Sequence, residues 1–192
     1  ELVPLIKELA KNSKIVGIGE IGLDYYWDKS FNELQKEIFI KQIQLANELN
    51  LPISIHDREA HKDTIDILKE YNCTATFFLV GFWIDKYPEM VKAIDETGFE
   101  IGNHSNTHPD LTTVSTQKLN EELSETNKRL TSITGKEVKV FRCPYGAYDN
   151  NVINAVQSNG MVPVQWSVDS LDWQGLSADN ITTRIVNNVK NG

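Results

Sequence analysis

The chain has 192 residues, 40% of them apolar and 24% charged, a balance that suits a compact domain and excludes collagenous, low-complexity and disordered chains. Lys and Arg number 19 against 27 Asp and Glu, leaving a net charge of −8, so the surface has no electrostatic footprint for nucleic-acid backbones. No apolar run approaches the roughly 20 residues that span a bilayer, and neither nucleic acid nor membrane is an expected partner.

Leu2, Leu5, Ile6 and Leu9 have helical spacing and predict a helix over 2–11. A strand follows over 14–19. Ser30 with Glu33 reads as a capping box opening a helix that runs to about Asn50. Residues 51–56 predict a strand, 60–71 a helix and 74–80 an almost wholly apolar strand. Pro88 fits the first turn of a helix ending at Gly98, and 99–102 is a short strand. Ser115 caps a helix whose Leu119, Leu123, Thr126, Leu130 and Ile133 form one stripe before Gly135. Strand 138–141, helix 149–159, strand 161–166 and helix 178–190 complete the order.

Strand and helix alternate with no hairpin signal, and the strands are short and continuously apolar, as in a parallel sheet covered on both faces. The expectation is an α/β protein, a single domain over 1–192 with about six strands in a parallel, barrel-like sheet. Complete eight-fold barrels usually need about 250 residues, so the barrel is expected to be incomplete. The chain begins at Glu1 with no signal-peptide pattern and stops on a helix followed by Gly192. We therefore expect a fragment, monomeric, with the question of export open. Cys73 and Cys143 are expected to be reduced thiols.

In parallel α/β folds the working residues lie at the C-terminal ends of strands. Those ends carry Glu20 to Asp24, His56-Asp57-Arg58, Gly81-Phe82-Trp83, Asn103 to Pro109, Arg142 to Gly146, and Ser167 to Trp173. Three of the four histidines fall in this set; His61, early on a helix, reads as a solvated surface residue. His104 and His108, four apart after a buried strand, are spaced to hold one divalent metal, expected to be zinc, between two imidazoles. The third ligand should be a carboxylate from another strand end, for which Asp57, Glu20 and Asp169 are available. Arg142, stiffened by Pro144, suits a bidentate hold on a carboxylate such as Asp169 or Asp172. Tyr145 and Trp173 suit core packing or the stacking of a sugar ring.

Residues 73–192 resemble the polysaccharide deacetylases with NodB homology. The resemblance rests on residues 75–81, on Glu100 to His108, on Phe141-Arg142-Cys143-Pro144-Tyr145-Gly146 and on Trp166 to Trp173. It implies metal-dependent N-deacetylation of an acetylated amino-sugar polymer such as peptidoglycan or chito-oligosaccharide. His104 and His108 would be metal ligands, Arg142 would orient the general base, and Asp169 would brace that arginine. Tyr145 would lie by the oxyanion through its backbone N–H, and Trp173 would line the groove. The family's opening Asp-Asp strand has no counterpart here, and its closing strand, with a histidine acid, lies beyond Gly192.

Residues 1–72 resemble instead the TatD-type metal-dependent DNases, through Gly17 to Tyr25 and Leu51 to Ala60. Glu20 and His56 match metal ligands of that family; its other histidines and aspartate have no match. The expectation is thus a chimera of two barrel families joined near Asp66 to Asn72. Where a deacetylase has its Asp-Asp strand this chain has His56-Asp57, which would make Asp57 the carboxylate ligand and put His56 in the place of the general base. With each parent's catalytic set cut, deacetylase activity is expected to be weak or lost. The alternatives are a deoxyribonuclease working through Glu20, His56 and Asp57, and a non-catalytic barrel scaffold.

Overall fold

A computed structural model describes every residue except 1, 13, 14, 16, 167–170, 172, 173 and 189–192. The chain forms two compact units, one of Glu1–Cys73 with Ser167–Gly192 and one of Thr74–Trp166.

The first unit contains α1 (Leu2–Leu9), β1 (Ile18–Asp24), α2 (Asn32–Leu49), β2 (Ile53–Arg58), α3 (His61–Glu70) and α8 (Ala178–Asn188). β1 and β2 pair in parallel, Gly22 opposite His56, Leu23 opposite Asp57 and Asp24 opposite Arg58. Between Ile18 and Ile21 the register slips, because β1 spends three steps where β2 spends two, as a bulge does. The strand expected at 14–19 thus lies several residues later, and its supposed end, Glu20 to Asp24, is strand itself. The closely spaced glycines of this strand allow contact between backbones. A Cβ on Gly19 would stand 2.7 Å from Ser54 Cβ, and one on Gly22, at φ +135°, would stand 2.1 Å from the His56 carbonyl oxygen. α2 lays Phe39, Ile43 and Ala46, spaced as one helical face, into the core with Leu23 and Leu68. Its opening differs from the expected capping box. Asp28 accepts from the Ser30 backbone N–H at 2.8 Å and caps a short 3-10 turn over Lys29–Phe31, from which α2 continues. The carboxylate two residues upstream of Ser30 outcompetes its hydroxyl, which itself donates to Asp28.

The second unit contains β3 (Thr76–Leu79), α4 (Gly81–Lys86), α5 (Pro88–Glu96), β4 (Glu100–Asn103), α6 (Thr116–Thr134), β5 (Val140–Phe141), α7 (Asn150–Ser158) and β6 (Val162–Pro163). The strands form one parallel sheet in the order β3-β4-β5-β6. α6 keeps the limits its sequence announces. Ser115 accepts from the Lys118 N–H, and Gly135, at φ +70°, ends the helix in the left-handed region. Its Leu119 and Leu123 join Leu111, Phe141, Cys143, Val152, Val156 and Met161 in a continuous core. Core burial of this kind contributes about 1.5–3 kcal/mol per large side chain.

The α/β class and the parallel pairing agree with the sequence. The expected single barrel-like sheet is not seen as one sheet. Among the described residues the six strands form two separate sheets, of two and four strands. β6 is only two residues long, Val162–Pro163, and its neighbouring amides face β5, Val162 N–H donating to the Lys139 carbonyl at 2.8 Å and Val164 N–H to the Phe141 carbonyl at 2.7 Å. Cys73 and Cys143 are free. No helix among the described residues is long and apolar enough to cross a membrane.

Candidate active site

In the second unit, the C-terminal end of β4 runs into the loop that carries both candidate metal histidines. Asn103, fully buried, closes the strand and anchors the loop. Its amide donates to the Leu123 carbonyl at 2.9 Å and to Asn127 Oδ1 at 2.7 Å, while its Oδ1 accepts from the Ser105 N–H at 2.8 Å. Ser105 and His108 both adopt the left-handed region, at φ 66° and 60°, a conformation uncommon outside glycine. The Ser105 hydroxyl accepts from the His108 N–H at 3.0 Å and so helps to hold the second bend. On the other side the first amides of α4 reach the same loop, Gly81 N–H donating to the Ser105 carbonyl at 3.0 Å and Phe82 N–H to the Asn106 carbonyl at 3.2 Å. A Cβ on Gly81 would fall 2.1 Å from Asn106 Oδ1 and 2.8 Å from its carbonyl oxygen, so this approach requires glycine.

The two imidazoles lie with ring centroids 4.9 Å apart and planes at 73°. His104 Nδ1 is 2.8 Å from the Arg142 carbonyl. A carbonyl only accepts, so Nδ1 carries the proton and Nε2 keeps its lone pair. A backbone carbonyl fixing the far nitrogen is the support that ligating histidines usually receive. Burial pushes the His104 imidazole down to about 4, against the Arg142 carbonyl, which favours the protonated ring. The ring is therefore neutral at ordinary pH, the form that binds a metal. His108 packs edge-on against Tyr145, centroids 4.8 Å apart. Tyr145 is itself left-handed, at φ 59°, and exposed, so its backbone rather than its ring is what the turn after β5 fixes in place. Arg142 lays its guanidinium over the Phe78 ring, 4.3 Å from the centroid. Phe78 can lie there because its β4 neighbour is Gly102, whose Cβ would stand 2.6 Å from that ring.

One group escaped the sequence reading. Glu122 projects from α6, wholly buried, and accepts from the Asn106 N–H at 2.9 Å, the Thr107 N–H at 2.7 Å and the Thr107 hydroxyl at 2.8 Å. Lys118 pairs with it at 2.8 Å. Burial opposes its ionisation, but the hydrogen bonds from Lys118 and Thr107 outweigh this and hold the carboxyl below the ordinary glutamate range. The available signal was a charged residue on the apolar stripe of α6, three residues after Leu119 and one before Leu123.

In the first unit, alternation along β2 separates His56 from Asp57. His56 shares a face with Asp24 and Arg58. Its Nε2 is 3.1 Å from Asp24 Oδ2, and its Nδ1 is 4.0 Å from Glu20. Arg58 grips Asp24 with contacts of 2.6 and 3.0 Å and stacks over Tyr26 and Trp27. Burial tends to raise the Asp24 carboxyl, but hydrogen bonds from Arg58, the Tyr26 N–H and His56 override it and bring the group to about 2. Asp57 lies on the Leu23 side, where Oδ1 accepts from the Ala60 N–H at 3.3 Å and Oδ2 stands 3.0 Å from His61 Nδ1. His61 is therefore not a solvated residue. The one-turn spacing back to Asp57 brings it down onto the strand end. Glu20 is exposed on the bulge. Asp169 and Trp173 lie outside the described residues. Among the described residues no three His, Cys, Asp or Glu side chains converge as a metal cluster. The donor set that fits a cation is the histidine pair of the second unit, with one nitrogen demonstrably free for it.

Residues 52–164, more than half of the chain, match the family profile of polysaccharide deacetylases. The chain belongs to the polysaccharide deacetylase family. A peptidoglycan-N-acetylglucosamine deacetylase of Bacillus cereus is 38% identical over 132 residues, 69% of this chain and 48% of the relative. The crystal structure of a mutant CE4 family pseudoenzyme with restored enzymatic activity, from Bacillus anthracis, superposes with a TM-score of 0.59 at 31% identity, covering 70% of this chain and 49% of that one. A third relative is of a different kind: an uncharacterised metal-dependent hydrolase of Bacillus subtilis, YabD, is 57% identical over 70 residues, 36% of this deacetylase-family chain and 28% of the relative. The chain spans about half the length of the curated relatives it matches.

Proposed function

We propose that this chain is a metal-dependent N-deacetylase of acetylated amino-sugar polymers, attenuated in turnover, in which His104 and His108 hold one divalent cation, zinc in the first instance. The observation that carries the reading is the supported histidine pair, lying inside the region that matches the family. His104 presents a free Nε2 because the Arg142 carbonyl occupies Nδ1. A cation held there would supply Lewis acidity, polarising the acetyl carbonyl and lowering the pKa of a bound water. The protein's own part is orientation. The constrained turn at Tyr145 offers its backbone N–H to the developing oxyanion, and Arg142 orients the base; the bracing and stacking roles that the resemblance gives Asp169 and Trp173 fall on residues outside the described ones. His56, the base expected from the sequence, and Asp57 and Glu20, the expected carboxylate ligands, all lie in the first unit, where His61 and the Ala60 N–H already claim the oxygens of Asp57.

We further read residues 1–72 as a TatD-type segment joined to a deacetylase segment over 73–192, and the parallel strands as units of an incomplete barrel. The identity with YabD supports a second hydrolase parent. A deoxyribonuclease is not favoured, since the net charge is −8 and Asp57 faces away from His56. A non-catalytic reading has a specific support in the missing third ligand among the described residues and in the likeness to the wild-type form of the Bacillus anthracis CE4 family pseudoenzyme.

The test is acetate release from acetylated chito-oligosaccharides and peptidoglycan fragments, with and without added zinc. We expect slow, zinc-dependent release that disappears in His104→Ala. Zinc uptake without any acetate would replace the enzyme with the non-catalytic reading.

A further inference from the structure

We propose that Glu122 is the positioning residue of the metal-binding loop: its buried carboxylate, by capturing the backbone amides of Asn106 and Thr107, fixes the separation and aim of His104 and His108. The inference rests on the deacetylase reading for the meaning of the histidines, but its geometry stands without it.

Folding alone gives no reason for a carboxylate at this position. Residues 119, 123, 126 and 130 of α6 are buried, and a leucine or methionine at 122 would continue that stripe without the desolvation penalty of a charge. What the carboxylate does instead is specific. Ser105 and His108, both left-handed, bracket two residues, and the amides of those two are the ones Glu122 accepts. A pair of successive N–H groups converging on one anion cannot be satisfied by the strand ladder, because β4 has already ended at Asn103. The Thr107 hydroxyl adds a third bond to the other carboxylate oxygen, so both oxygens are engaged and the group cannot swivel. Lys118, one turn earlier on the same helix, balances the charge from the solvent side. Helix α6 therefore acts as a rigid post, and the loop is bolted to it midway between the two histidines. Asn103 anchors one end of the loop and the α4 amides hold the Ser105 and Asn106 carbonyls, while Glu122 holds the amides of its middle, Asn106 and Thr107.

The discriminating experiment compares the full chain with Glu122→Leu, Glu122→Gln and Thr107→Val, reading amide hydrogen exchange residue by residue and cobalt(II) titration by its visible spectrum. In Glu122→Leu the Asn106 and Thr107 amides should exchange about 10–100-fold faster, while amides in the middle of α6 and in β4 keep their protection. Cobalt should bind about 10–100-fold more weakly, the range typical for loss of an outer support of a metal ligand. Glu122→Gln, which keeps one acceptor, should fall between. Thr107→Val removes a single bond at an exposed residue, so it reports even if the Glu122 variants unfold. It should quicken exchange at Thr107 without a global change. Unchanged exchange at both amides in Glu122→Leu, or in Thr107→Val if the former is unfolded, overturns the proposal. A wild-type chain that binds no cobalt overturns the metal reading instead, and the exchange comparison still judges Glu122.

Discussion

Asn103→Asp changes one amide nitrogen to oxygen at a fully buried position, and the structure fixes what that single change should cost. The retained Oδ1 still accepts from the Ser105 N–H, but the two donated bonds, 2.9 Å to the Leu123 carbonyl and 2.7 Å to Asn127 Oδ1, become contacts between acceptors. Asn127 can rotate its amide and donate, which repairs one. The Leu123 carbonyl cannot turn and is left facing an oxygen. An abandoned buried acceptor costs about 1–3 kcal/mol, and a new buried charge adds to it until the carboxyl takes up a proton. The expected loss at pH 7.5 is therefore about 3 kcal/mol. When protonated, the new carboxyl carries an O–H that can donate to Leu123, so the loss should shrink to about 1 kcal/mol in mild acid. The sign follows from linkage. A buried carboxyl titrates above the ~3.9 of an unfolded aspartate, the native state then binds the extra proton, and stability falls as pH rises through the folded value. Urea unfolding of variant and wild type, followed by tryptophan fluorescence at pH 4.5 and 7.5, gives the difference. An equal penalty at both values, or less than about 1 kcal/mol at pH 7.5, would refute the role given to Asn103.

Two further outcomes follow from groups outside the histidine loop. The Asp24 carboxyl, drawn down from 3.8 to about 2, should contribute stability that is complete above about pH 4 and is lost as pH falls towards 2. About 1.36 kcal/mol per unit, reduced by solvent screening of the half-exposed Arg58, leaves roughly 1 kcal/mol. Arg58→Met should abolish most of that acid sensitivity, and an unchanged pH profile would count against the Asp24–Arg58 pair. Cys143 is buried and its thiol is pushed up to about 11 by that burial, so iodoacetamide at pH 8 should label it at least 100-fold more slowly in the folded chain than in urea. Equal rates, read by mass spectrometry, would contradict the packing around β5.

What could be read from the sequence was what local chemistry decides. Ser115 and Gly135 mark α6 because caps act within one turn, and the four-residue interval of His104 and His108 after an apolar strand marks the loop. The errors come from partners distant in sequence or from glycines with two uses. Gly19 and Gly22 lie where the strand was expected to end, yet they serve a close pairing with Ser54 and His56 that the neighbouring strand explains. Ser30 lost its capping role to Asp28, a nearer and charged competitor. Glu122 went unnoticed because its partners come 15 and 16 residues earlier in the chain, beyond any helical or strand period. Asp57 and His56 looked like one cluster in the string, and the two-residue repeat of a strand sent them to opposite faces.

The first unit is assembled from both ends of the chain, Glu1–Cys73 and Ser167–Gly192, whereas the second is the continuous stretch between them. During synthesis the second unit has all its residues before the first has received its last segment, so folding can proceed from the middle outwards. Once Thr74–Trp166 has folded, the remaining closure no longer joins two points through a long flexible coil. The entropic cost of that coil, which grows with the logarithm of its length, has already been met by the intervening unit. Destabilising the second unit should therefore delay the first as well, although none of the first unit's own residues has changed.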